Sequence, residues 1–164
     1  MKKSLLLLTL VCGHAFAATQ LTDCVIQEVI PGKDMTGAFL TFTHEGEAVD
    51  IASVAIPSIT DTVELHQMVM KGDVMEMSPL QDRSIAAGER RFKKGADHLM
   101  LMNIAPDKFP KKGDTHTITV TFSDNSTASC AAEVKSVEEV IAAAQAEGHA
   151  PTQDAGKTHK THQH

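Results

Sequence analysis

Apolar residues along most of this chain fall in short strand-like runs, several with strict alternation, and turn-forming residues break the runs at short intervals. The runs cover residues 25–30 (Val-Ile-Gln-Glu-Val-Ile), 36–43 (Thr-Gly-Ala-Phe-Leu-Thr-Phe-Thr), 48–56, 63–70, 74–77, 98–103, 116–122 and 128–134. A period of two marks a strand that buries one face. Pro31-Gly32-Lys33-Asp34, Glu45-Gly46-Glu47 and Asp124-Asn125 are loops or turns by composition. About eight short strands with regular turn signals predict an all-β sandwich or barrel. The chain has no internal repeat.

Both ends depart from this texture. Lys2-Lys3, an apolar stretch over 5–11 broken only by Thr9, and Ala15-Phe16-Ala17 have the layout of a secretory signal occupying residues 1–17. The stretch is far too short to span a bilayer, so no stable membrane insertion is expected. Cys12 raises the question of lipid attachment, which favours a small residue before the cysteine. Val11 stands there, so plain cleavage after Ala17 and release into the periplasm are expected. At the other end, Ser136-Val137-Glu138-Glu139 is a capping box, alanine-rich sequence follows, and Gly148 is a natural stop. A short helix over 136–148 is predicted, and a helix of this length is marginal in water unless it docks. Residues 149–164 hold nothing that fills a core and read as a disordered His-rich tail. The β-domain is thereby assigned to 18–135.

The 164 residues allow one ordinary domain, and 42% apolar content suffices for a core. Tyr and Trp are absent and Phe numbers 6, which leaves too few aromatic faces for bases to stack on. The formal charge of −6 moves to near −8 once Lys2 and Lys3 leave, with 13 basic against 21 acidic residues. A phosphate-backbone binder needs the opposite sign, so nucleic acid is excluded as a partner.

Of the 3 cysteines, Cys12 leaves with the signal. Cys24 and Cys130 remain near the two ends of the domain. In an oxidising compartment they are expected to form a disulfide, two reduced core thiols being the alternative. Closure of a loop of about a hundred residues is worth roughly 3–5 kcal/mol.

The unusual chemistry lies in methionine and histidine. Apart from Met1 and Met35, every methionine falls between Met68 and Met102. Strand alternation places His66, Met68 and Met70 on one face, with Leu65 and Val69 on the other. Met75 and Met77 share a face, and so do His98, Met100 and Met102, with Leu99 and Leu101 opposite. A hairpin turning at Lys71-Gly72 pairs Met68 with Met75 and His66 with Met77. A turn at Gly72-Asp73 keeps all five side chains on one face, whereas a three-residue loop separates them. Thioethers are soft and uncharged, and imidazole tolerates soft ions, so such a set selects Cu(I) over zinc, calcium or magnesium. Methionine alone is more often a flexible core filler, and the two histidines shift that balance. Met68, Met70, Met75 and Met102 are read as packing or rim. Replacing Met77 is expected to matter far more than replacing Met35.

The segment 66–100 resembles the signature of the PCu(A)C family, the periplasmic copper chaperones of bacteria. That signature is a His, ten residues, a Met, about twenty-one residues, then His-x-Met. Here 10 residues separate His66 from Met77, and His98-Leu99-Met100 closes the motif. The stretch 78–97 is one residue short of the usual count, a deletion assigned to the loop around Asp82 or the turns at Gly88 and Gly95. Residues 36–41 and Gly113-Asp114 also look like family features, and the likeness covers roughly 23–135. It implies a cupredoxin-like Greek-key β-sandwich holding one Cu(I) through His66, Met77, His98 and Met100. It further implies delivery of copper to an acceptor such as subunit II of cytochrome c oxidase, with its binuclear copper site, or an assembly factor.

His44, in Thr-His-Glu-Gly, and His116 read as solvated. Ser58 or Ser84 near His66 could suggest a hydrolase pair, but no Gly-x-Ser-x-Gly elbow or ordered acid supports one. The expectation is a monomeric metal carrier, not an enzyme. A copper sequestration protein and a metal-free periplasmic interaction module are the alternatives. In the tail, His149, His159, His162 and His164 form a candidate second site. Imidazoles are harder than thioethers and favour Cu(II), nickel or zinc.

Overall fold

The structure, a computed structural model, describes residues 18–148. The signal assigned to 1–17, and the tail with His149, His159, His162 and His164, lie outside the described residues.

Among the described residues, ten strands and one α-helix follow in chain order, with a single 3-10 turn at Pro106–Lys108: β1 (Ala18–Gln27), β2 (Thr36–Glu45), β3 (Val49–Ala55), β4 (Thr62–Lys71), β5 (Val74–Pro79), β6 (Ser84–Ile85), β7 (Gly88–Phe92), β8 (His98–Met102), β9 (Thr115–Phe122), β10 (Thr127–Lys135) and α1 (Val137–Gly148). They are hydrogen-bonded in the order β5-β4-β8-β2-β1-β10-β9-β3-β6. β2 is long enough to serve two neighbours on one side, β8 along residues 36–38 and β7 along residues 40–44. The β1–β10 ladder is parallel, with Val25 opposite Glu133. The path curls over a single core. Phe42 of β2 lies 6.5 Å from Phe122 of β9, although β1 and β10 separate those strands in the path, and 5.0 Å from Phe92 of β7. Leu40, Ile51, Leu99, Leu101, Ile118 and Val134 fill the same interior. This is the all-β sandwich with a short C-terminal helix that the sequence predicts.

The first strand departs from expectation. It begins at Ala18 and ends at Gln27, whereas the apolar run suggests 25–30. In residues 18–22 only Leu21 is buried, so the sequence there carries almost no apolar signal. Ile30, conversely, is 45% exposed in the loop after the strand. Asp23 takes a left-handed φ of 52° where the β1–β2 register shifts. β6 and β7 are also absent from the apolar pattern, because Gly88-Glu-Arg-Arg-Phe offers one buried residue among charges. Arg90 compensates by lying 5.3 Å over the Phe92 ring while its guanidinium donates to Asp97 Oδ2 at 2.7 Å and to the Ser84 carbonyl at 2.6 Å.

His44 is buried, not solvated. Its Nδ1 pairs with Thr19 Oγ1 at 2.8 Å and its Nε2 donates to the Glu47 carbonyl at 2.7 Å, which ties β1 to the turn after β2. The Cys24 and Cys130 sulfurs lie 1.99 Å apart, a disulfide between β1 and β10 across a separation of 106 residues. Helix α1 opens with the expected capping box. Ser136 Oγ accepts from the Glu139 backbone at 3.2 Å, and Glu139 Oε2 accepts from the Ser136 backbone at 2.9 Å. Val140 is buried and Lys112 reaches Glu139 at 2.9 Å, so the first turn is docked.

Candidate metal centre

The strands β4 and β8 carry leucines inward and metal-type side chains outward. Leu65, Leu99 and Leu101 are buried in the core, so alternation turns His66, Met68, His98 and Met100 to the outer face. Ladder register sets His66 directly across from His98, and Glu64 across from Met100. The β4–β5 hairpin turns at Gly72-Asp73, with Gly72 at φ +65°. Met68 therefore faces Met77, Met70 faces Met75, and His66 faces Pro79. The direct His66–Met77 pairing expected from a Lys71-Gly72 turn does not form; Met77 is diagonal to His66. All five hairpin side chains still share one face, because both two-residue turns preserve parity.

Beside β8 the outer face is hollowed into a cavity of about 460 Å³, lined by Met35, Gly37, Met68, Met77, His98 and Met100 among others. Lys33 and Lys94 stand at its margin, on the loops after β1 and β7. Gly37 lies directly across from Met100. A Cβ at Gly37 would come within 3.1 Å of the Phe39 ring, so glycine keeps this wall of the hollow low. Met77 is 48% exposed and leaves the hollow open toward solvent.

Both histidines hold one ring nitrogen in a fixed bond and leave the other free. His98 Nδ1 donates to the Ala96 carbonyl at 2.8 Å, which sets the tautomer with an unprotonated Nε2. Burial pushes the His98 pKa below 6.5, only partly offset by the Ala96 bond, and the neighbouring His66 lowers it further. A neutral ring is the ligating form. His66 Nε2 donates to Glu64 Oε2 at 2.8 Å, while its Nδ1 is buried without a partner. The two rings meet edge to face at 6.0 Å. An orphaned buried nitrogen of this kind fits a missing ligand-type bond.

Met77, His98 and Met100 thus line one cavity. His66 touches His98 but lines the neighbouring cleft with Pro79 and Arg83. Met35, expected to lie apart from the site, lines the same cavity. Its position in the loop before β2 gives no periodic signal. Among the described residues, no three His, Cys, Asp or Glu side chains form a group that could hold a metal ion. Ser58 pairs with His116, not His66, at 2.9 Å. His116 is half-buried, with its Nε2 buried and unpartnered, where a solvated ring was expected.

The curled β-sandwich has counterparts among solved structures. The chain superposes on the Cu(I) form of DR1885 from Deinococcus radiodurans with a TM-score of 0.55, at 24% identity over 71% of this chain and 76% of that one. It also superposes on the copper-bound PCuAC domain of PmoF2, with a TM-score of 0.54 at 12% identity over 71% of this chain and 91% of that domain. The apo PCuAC domain of PmoF1 gives 0.56 at 9% identity, over 71% and 92% respectively. At these identities the likeness is one of fold, and the fold is that of PCuAC domains. In sequence, a family model described as "Putative lipoprotein LpqE-like" matches residues 19–134. The chain belongs to this LpqE-like family. A protein of Leifsonia xyli subsp. xyli named "Putative lipoprotein" is 31% identical over 107 residues, 63% of each chain. The match spans less than two thirds of that relative's length.

Proposed function

We propose that this protein is an exported copper carrier that holds one Cu(I) in the outer-face cavity and passes it to an acceptor. Met77, His98 and Met100 supply the first ligands, and His66 swings its free Nδ1 in from the adjacent cleft. The observation that carries the reading is that Met77, Met100 and His98, whose Nδ1 is the nitrogen held by Ala96, line one open hollow outside the core. Packing needs no such arrangement, since the leucines behind it already fill the interior. Two thioethers and two imidazoles form a soft, uncharged set suited to Cu(I). The exposure of Met77 suits release to a partner, whose class is a copper acceptor such as subunit II of cytochrome c oxidase or an assembly factor. The copper-bound and Cu(I) states of the similar PmoF2 and DR1885 structures favour the same cargo.

Export to the periplasm follows from the signal-like residues 1–17, with the mature chain starting at Ala18 as an 18–135 copper domain, a short helix and the His-rich tail. The lipoprotein descriptions of the family model and of the Leifsonia relative favour export. Val11 before Cys12 favours cleavage after Ala17 over lipid attachment here. His149, His159, His162 and His164 are proposed to collect Cu(II) near the core site.

A competition titration with a Cu(I) chelator tests the proposal. Met77→Ala and His98→Asn should each weaken binding by about 10-fold or more, since loss of even a residue that only orients a ligand costs 10–100-fold. Met102→Leu, on the same strand as His98 but outside the cavity lining, should leave it unchanged. Equal effects from all three would reduce the constellation to packing.

A further inference from the structure

The hairpin β4–β5 carries thioethers that the cavity does not use. Met70 and Met75 stand directly opposite each other one pair from the turn, and Met68 and Met77 form the next pair on that face. Opposed Cβ atoms in such a ladder are about 4.5–5.5 Å apart, within reach of two flexible thioether side chains. Met70 is 64% exposed and Met75 50%, so neither packs the core. β5 ends the hydrogen-bonded path, which leaves this part of the hairpin open along one edge. With Met77 also 48% exposed, the adjacent ladder pairs make a contiguous exposed apolar patch, the kind of feature that accompanies binding sites. The opposite face of the same hairpin end carries an ordinary ion pair, Lys71 with Glu76 at 3.3 Å. The thioethers are therefore confined to the face that continues into the copper cavity.

The geometry points to a second soft-metal site on the hairpin arm, in which Met68, Met70 and Met75 bind Cu(I) through sulfur alone. Met68 belongs to both places, since it also lines the cavity. An ion on the arm has one ligand already at the cavity wall and moves inward by exchanging the Met70 and Met75 sulfurs for those of Met77 and Met100. The oxidation state does not change along this route. An all-thioether set lacks imidazole nitrogen, so the arm binds more weakly than the cavity and fills second. The route rests on the cavity being the primary copper site, whereas the arm's own binding does not.

Silver(I), a redox-inert stand-in for Cu(I), tests the proposal in the full chain labelled with ¹³C at the methionine methyl groups. The first equivalent should shift the Met77 and Met100 methyls. The second should shift Met70 and Met75, with Met68 moving in both steps. Histidines of the tail that take silver leave the thioether methyls unmoved, so they do not mimic the effect. In a Met70→Leu, Met75→Leu variant the second-step shift of the Met68 methyl should vanish while the first-step shifts of Met68, Met77 and Met100 remain. If the Met70 and Met75 methyls stay unmoved through three equivalents, or the variant keeps the second step at unchanged affinity, there is no arm site. If instead Met77 and Met100 fail to respond while Met70 and Met75 do, the arm stands and the cavity reading fails.

Discussion

At the level of single residues, the two histidines do most to define the chemistry. His98 is held neutral by burial, and its ordinary value of 6.5 fixes where this matters. Well above pH 6.5 the ring is uncharged in both folded and unfolded chains. As pH falls below 6.5 the unfolded chain takes up a proton that the folded chain resists, so stability declines until His98 itself protonates. Denaturant unfolding at about pH 7 and about pH 5 should therefore show a larger loss in the wild type than in His98→Asn; equal losses would mean the ring titrates normally in the fold. The pairing of His with Met at alternate positions is legible in the sequence, because period two needs only local alternation. The orientation of each ring is not. The Ala96 carbonyl and the Glu64 carboxylate that hold the two tautomers depend on backbone and side-chain geometry that no spacing encodes. The burial of His44 is hidden for the same reason. Its partners are Thr19, on a strand segment with almost no apolar signal, and the Glu47 carbonyl.

At the level of elements, the β4–β5 hairpin and the capped helix show what short-range rules can deliver. Gly72 adopts φ +65° with open space for 4 Å around the place a Cβ would take, so Gly72→Ala meets conformational strain rather than a clash. The left-handed cost is about 1–2 kcal/mol, and a loss of that size in urea unfolding with unchanged Cu(I) stoichiometry is expected. A loss of stoichiometry would mean that the turn sets the site more tightly than parity requires. Turn chemistry allows two candidate turns one position apart, whose registers differ by two residues, and the observed ladder turns at Gly72-Asp73 while β8 aligns His98 with His66. Parity is common to both registers, and with it the shared face. β7 is illegible because it buries only Phe92, and the residue two before it on the same strand is Arg90, whose guanidinium lies over the Phe92 ring where an apolar side chain would mark a strand. The capping box is legible because all its parts lie within four residues of each other.

At the scale of the whole molecule, a curled sheet carries the candidate site on its outer face and is cross-linked between its first and last strands. Cys24 and Cys130 span 106 residues, and removing such a bridge typically costs about 2–5 kcal/mol. Thiol labelling of the denatured exported protein should find no free cysteine, and Cys130→Ser should lower the melting temperature without changing Cu(I) stoichiometry. Two labelled thiols, with copper binding lost on blocking them, would instead make the cysteines ligands. The sandwich is legible from turn spacing, but the convergence of Met35 on the cavity is not, since it depends on how the loop after β1 crosses the outer face. The most direct test of the account is copper X-ray absorption on the full chain loaded with one equivalent of Cu(I). The spectrum should contain both sulfur and nitrogen scatterers, and Met77→Ala should reduce the sulfur contribution while leaving nitrogen in place. A coordination sphere of nitrogen and oxygen alone, unchanged by Met77→Ala, would contradict a thioether–imidazole copper site on this face.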